Sequence, residues 1–185
     1  PGALALIIVV LVALFWRSFL PGYVHFSNDW TFGQQNADWI KLPTAMTGMW
    51  ADLNGLGLNV GAFAPNITML LKTLLSPLLF AKFFPVLALL IAGVGAFTFF
   101  RALKLSALAA TLGALAAVLN STNFADACWG TATHQIALGL DFCALALIVS
   151  NTRETPWFVR WTRLALAGFR VGLNVVEAQD IGALY

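Results

Sequence analysis

The feature that most constrains this chain is a series of long apolar runs with almost no charge inside them: residues 3–20, 83–100, 105–119, 134–149 and 164 to about 184. A helix that packs one face on a soluble core carries polar residues on the other face, whereas a helix apolar all round must leave water on every side. Each run approximates one crossing of a hydrocarbon layer about 30 Å thick, which takes roughly 20 residues at about 1.5 Å each. Runs 105–119 and 134–149 are short for that thickness, so their helices are expected to extend into flanking polar sequence. Hydrophobic residues make up 60% of the 185 and charged residues 10%, against about 45–50% and about 25% in soluble domains. The expected fold class is all-α: a polytopic transmembrane helical bundle of about five crossings.

Charge placement sets the expected orientation. Arg101 and Lys104 share one short loop, and Arg153, Arg160 and Arg163 share another two crossings later. Both loops therefore lie on one side, and retention of basic loops makes that side the cytoplasm. The amino terminus is then cytoplasmic too, in a protein integral to the cytoplasmic membrane. Residues 21–82 and 120–133 face outward, carrying Asp29, Asp38, Asp52 and Asp126. The apolar segment 67–84 is interrupted by Lys72, Pro77 and Lys82. A sixth crossing there would export both basic loops, so it is read as a helix lying in the interface. No basic region precedes the first run, which is read as a retained helix rather than a signal peptide. The chain starts at Pro1 and both ends fall in apolar sequence. All 185 residues are thus expected to be the amino-terminal part of one larger transmembrane domain.

Several chemistries are excluded. A net charge of +2 with no basic run gives no footprint for nucleic acid. Cys128 and Cys143 offer neither a disulfide framework nor a zinc spacing. No phosphate-cradling glycine loop, metalloprotease motif or nucleophile elbow occurs. Acids and histidines placed at or within the membrane remain. Asp29, in His25-Phe26-Ser27-Asn28-Asp29-Trp30, falls just beyond the first run. There a carboxylate beside Trp30 can take a proton from a hydroxyl or help hold a divalent cation against a phosphate; a plain turn is the alternative, since Ser-Asn-Asp is common turn chemistry. Glu177 and Asp180 are three residues apart on the last run, hence on neighbouring positions of one helical face, and roughly 20–24 Å from its cytoplasmic start. Such acids either wall a site or rest among headgroups. Asp141 and Arg170 lie at nearly equal depth on consecutive runs and are expected to form a structural ion pair. His25 and His134 are near the outer surface, where a histidine binds phosphate or relays a proton, although lone histidines usually do neither. The first outer loop also carries Trp30, Trp39, Trp50 and a Gly/Asn cluster from Asn54 to Gly61, suited to a membrane surface or to close approach of a ligand.

Taken with Trp50-Ala51-Asp52-Leu53-Asn54-Gly55-Leu56-Gly57, Ala81-Lys82-Phe83-Phe84, Ala127-Cys128-Trp129-Gly130 and Glu177-Ala178-Gln179-Asp180-Ile181-Gly182, the pattern resembles the bacterial YfhO-like membrane protein family of the GT-C superfamily of glycosyltransferases. The resemblance implies a polyprenyl-phosphate-linked sugar as donor, a cell-envelope acceptor, and Asp29 as the first-loop acid that activates the acceptor or supports a metal. It also implies basic residues gripping the sugar phosphate; Lys72 or Lys82 would serve, although lysines at this depth commonly snorkel to headgroups. Asp29 has no second acid beside it, so the Asp-x-Asp pair of better-defined members is missing. The cofactor is unspecified, with a divalent cation the candidate. The expected partners are the lipid bilayer and the lipid-linked sugar, and oligomeric state is not legible. The expected function is inverting glycosyl transfer at the extracytoplasmic face, with Asp29 as base and Glu177, Asp180, His25, Lys72 and Lys82 as substrate-binding residues. A transporter or flippase with Asp141, Arg170, Glu177 and Asp180 along a polar path is the alternative, and a non-catalytic scaffold is the third.

Overall fold

The structure is a computed structural model that describes residues 2–25, 27–40, 66–178 and 180. The described residues contain helices and connecting turns but no strand. In chain order the helices are α1 (Gly2–Phe15, continued by a 3₁₀ turn Trp16–Phe19), α2 (Phe32–Ile40), α3 (Ile67–Leu74), α4 (Pro77–Ala102), α5 (Ala107–Leu119), α6 (Ser121–Trp129), α7 (Thr133–Val149) and α8 (Trp157–Glu177). Two stretches, Gly2–Phe19 and Pro77–Ala102, are long and apolar enough to span a membrane. Helices α5 and α6 meet that standard only when taken together across a 50° bend. Extension of the third run into polar sequence was expected, and here it takes the form of a separate, tilted helix.

Helix α4 is the central post. Ser76 caps its amino terminus through its side-chain oxygen and Pro77 fills the first turn, where a missing N–H costs nothing. The segment expected as one interfacial helix, 67–84, is therefore two elements. The chain breaks at Leu75 and Ser76, and everything from Pro77 onward belongs to the long helix. Phe80, Phe84, Ala88, Leu89, Ala92 and Ala96 of α4 are buried, and α1, α5 and α7 surround it.

The tightest crossing joins α4 to α7. A Cβ added at Gly95 would sit 3.0 Å from the Gly139 Cα, and one added at Gly139 would sit 2.8 Å from the Ile91 carbonyl oxygen. The two backbones touch because neither glycine has a side chain, the way helices pack closely where burial from water supplies no drive.

Helix α8 packs on α7 with its amphipathic pattern turned inside out. Arg163, Asn174 and Glu177 each bond into the bundle, whereas Phe169, Val171 and Val175 are exposed. This is the reverse of the pattern of a surface helix in water, whose polar residues face outward. The helix starts at Trp157, two turns before the expected position 164, and ends at Glu177, where Ala178 turns extended (φ −145°, ψ 94°). Glu177 and Asp180 consequently do not share a helical face.

Gly168 and Gly172 of α8 have open space where a Cβ would stand, which gives a controlled comparison. Gly168→Ala should raise thermal stability in detergent by up to about 1 kcal/mol through helix propensity. Gly95→Ala should lower it by about 1–3 kcal/mol through overpacking, despite the same propensity gain. Equal shifts for the two would contradict the backbone contact.

Candidate functional site

The end of α1, the start of α4, helix α6, the start of α7 and the end of α8 meet at one end of the bundle, called here the loop end. Phe15 of α1 meets the His25 ring edge-on at 5.8 Å and Phe124 of α6 at 5.5 Å, and Phe19 stacks on Phe83 of α4 at 5.3 Å. Lys82, buried on α4, donates to the Leu20 carbonyl at 2.7 Å. A lysine expected to grip a sugar phosphate is thus tied to the end of the first helix, where a cation suits unpaired carbonyls.

Beyond Leu20 the chain lies across the carboxyl end of α6. The last carbonyls of a helix have no partner of their own, and the first loop supplies it. His25 Nε2–H donates to the Cys128 carbonyl at 2.9 Å. The Trp129 carbonyl accepts the backbone N–H groups of Asn28 and Asp29, each at 2.9 Å, and the Ser27 hydroxyl at 3.3 Å. Gly130 ends α6 with φ 121°, and a Cβ there would stand 2.8 Å from the Trp30 nitrogen. Only glycine permits both that conformation and that proximity.

This latch fixes Asp29 through its backbone and leaves its carboxylate exposed, with the Asn28 amide 3.1 Å away. Trp30 turns the other way, its ring 5.5 Å from Phe80 and 5.9 Å from Phe84, while Gln35 donates to its carbonyl at 2.7 Å. The Lys72 ammonium of α3 sits 3.8 Å from the Trp30 ring centroid, a cation–π contact. Of the expected site residues, Lys72 thus lies on the face of the indole, and Asp29 is its neighbour in the chain. Behind them is a cavity of about 10 Å³ lined by His25, Ser27, Trp30, Gln35 and Gly130. It fits a single water-sized group, so His25 serves the latch and a substrate would have to approach the exposed side of Asp29.

His134 occupies the first turn of α7 between two acids. Its Nε2 is 3.1 Å from Asp180 and its Nδ1 is 3.9 Å from Asp126 of α6. Spacing alone does not announce this group, because Asp126 and His134 are joined across the Gly130 turn and Asp180 arrives from beyond α8. Glu177 instead serves α3: its carboxylate accepts from the Ile67 N–H at 2.8 Å, from the Thr68 N–H at 3.3 Å and from the Thr68 hydroxyl. Asn66 completes that amino terminus by accepting from the Met69 N–H at 2.7 Å. A carboxylate at a helix amino terminus meets both unpaired N–H groups and the positive end of the dipole. Glu177 and Asp180, expected to wall one site with Asp29, have separate partners.

The expected Asp141–Arg170 ion pair is corrected. Helices α7 and α8 are neighbours and the depths match, but Asp141 accepts from the Asn174 amide, one turn along α8 from Arg170. Among the described residues no ion pair links Asp141 to Arg170. The amide satisfies the carboxylate without burying a second charge. Trp50, Asp52, the Trp50–Gly57 motif and the cluster from Asn54 to Gly61 lie outside the described residues, as does the Asp38 side chain. Among the described residues no three His, Cys, Asp or Glu side chains converge as metal ligands, and Asp29 has an amide rather than a second acid beside it. The described residues therefore do not fit a resident divalent cation at Asp29.

Glu177→Ala would leave the first N–H groups of α3 without acceptors, at a cost of about 1–3 kcal/mol. The expected result is faster amide exchange across residues 67–74 with exchange in α4 unchanged; protection of α3 equal to wild type would contradict the cap. Compared with protein-family models, curated proteins and solved structures, the chain has no significant match.

Proposed function

We propose that the protein is a membrane glycosyltransferase that moves a sugar from a polyprenyl-phosphate carrier to a cell-envelope acceptor at the extracytoplasmic face. The observation that carries this reading is the arrangement about Trp30: an exposed carboxylate, Asp29, immediately precedes the indole, and an ammonium, Lys72, covers its face. The likeness of the first-loop sequence to the YfhO-like family gives the same role to Asp29. In the proposed step the Asp29 carboxylate accepts the proton of an acceptor hydroxyl as that oxygen bonds to the sugar's anomeric carbon. The bond from that carbon to the phosphate oxygen breaks, and the polyprenyl phosphate leaves with the electron pair beside the Lys72 ammonium. General-base assistance of this kind contributes about 10²–10⁴-fold.

The reading also takes α8 as a further crossing, supported by its inward polar stripe and outward apolar face. The transporter alternative has less support, because Asp141 and Glu177 are each engaged by neighbouring donors and tie helices together.

Asp29→Asn is the direct test, because the backbone latch to Trp129 does not use the carboxylate. The full-length protein carrying it should fold normally and lose transfer of sugar from a polyprenyl-phosphate donor by about 10²-fold or more. Undiminished transfer would remove Asp29 from the chemistry.

A further inference from the structure

The end of the bundle opposite Asp29 concentrates the cations. The turn after α4 carries Arg101 and Lys104, and the turn from α7 into α8 carries Arg153, Arg160 and Arg163; Glu154 is the one acid in these two turns, and the other seven acids lie elsewhere in the chain. The guanidinium groups are held in place by backbone carbonyls. Arg101 donates to Leu105 at 2.6 Å, Arg160 to Thr152 at 2.8 Å and Arg163 to Ser150 at 2.6 Å. Each such bond uses one of five guanidinium N–H donors, leaving a preoriented fork. Arg153 is exposed and bonds nothing among the described residues. The loop that carries it is folded on itself by the Thr152 N–H, which donates to the Thr155 hydroxyl at 2.9 Å.

Beside these cations stand three exposed aromatic rings in the first turns of α8: Trp157 at 76%, Trp161 at 64% and Phe158 at 60% of full exposure. The polar stripe of α8 faces α7, so nothing polar on this helix draws those rings inward. Indoles beside arginines at the end of an apolar helix match the depth at which hydrocarbon gives way to headgroups. A zwitterionic surface would give the excess of cations no net partner, whereas phosphodiesters with net negative charge accept both ion pairing and forked Arg hydrogen bonds.

We propose that the α7–α8 turn and the first two turns of α8, with Arg101 and Lys104 alongside, form a docking surface for the phosphate headgroups of anionic phospholipids. The surface is at the far end of the bundle from Asp29, so it stands or falls separately from the transferase reading. Its effect is to fix the depth and tilt of α8, the helix whose other end holds α3 through Glu177.

The test uses the protein reconstituted in bilayers that mix phosphatidylglycerol with phosphatidylcholine, one of the two lipids being brominated. Quenching of Trp157 and Trp161 is isolated by subtracting the signal of a W157F/W161F variant. Brominated phosphatidylglycerol should quench this component at a lower mole fraction than brominated phosphatidylcholine. Each of R153Q and R160Q should reduce that preference by up to about fivefold at low salt, the equivalent of about 1 kcal/mol per basic residue at an anionic surface. R153K/R160K should retain most of it, and high salt should erase it. Equal quenching by the two lipids in the wild type, or a preference unchanged in R153Q/R160Q, would overturn the proposal. Arg153 supports no other part of the described fold, so R153Q reads lipid preference without the ambiguity of a damaged structure.

Discussion

A polar group buried within a helical bundle must find its partner inside the protein, and that constraint recurs through the helices described here. It is most visible along α8, where Arg163 reaches the last carbonyls of α7, Asn174 reaches Asp141 and Glu177 reaches the amino terminus of α3. These attachments join α8 to the bundle alongside apolar contacts of Ala167 and Leu173, and they leave its outer side apolar. Around α4 the packing has a different solution: apolar side chains and two glycines let backbones approach directly. Where two helices meet at glycines, the short distance between their backbones supplies close van der Waals contact.

The loop end obeys the constraint through helix termini. Helix α6 ends with carbonyls that need donors, and the first loop provides three of them to Trp129 and one to Cys128. Helix α3 begins with N–H groups that need an acceptor, and Glu177 provides it. Two segments far apart in sequence are thereby joined to the bundle, and the first of them brings the Trp30 ring to the Lys72 ammonium of α3.

The helical class was legible because uncharged apolar runs admit little else, and the starts of α5 and α7 fall within two residues of the runs that forecast them. Boundaries set by capping were harder to read. Ser76 and Pro77 mark the true start of α4, yet the apolar sequence on both sides of them masked the break. The backbone latch that fixes Asp29 was not legible, because it depends on where α6 ends. Nor were the fates of Glu177 and Arg170, because a spacing argument assumes that a helix continues and that the partner is the nearest opposite charge. Helix α8 stops at Glu177, which sends Asp180 to His134, and Asn174 wins Asp141 because a neutral donor satisfies it with less desolvation than a second ion.

The latch between Asn28, Asp29 and Trp129 separates architecture from reactivity. Position 29 is held to α6 by its main chain, its carboxylate meeting only the neighbouring Asn28 amide, so the packing of the bundle places little demand on which side chain stands there. The site works as a socket: any residue able to adopt that backbone would be presented at the same spot beside the same indole. Variation at this position across related chains would therefore report a change of chemistry and not a change of fold, whereas variation at Gly130, which makes room for the loop, would report the reverse.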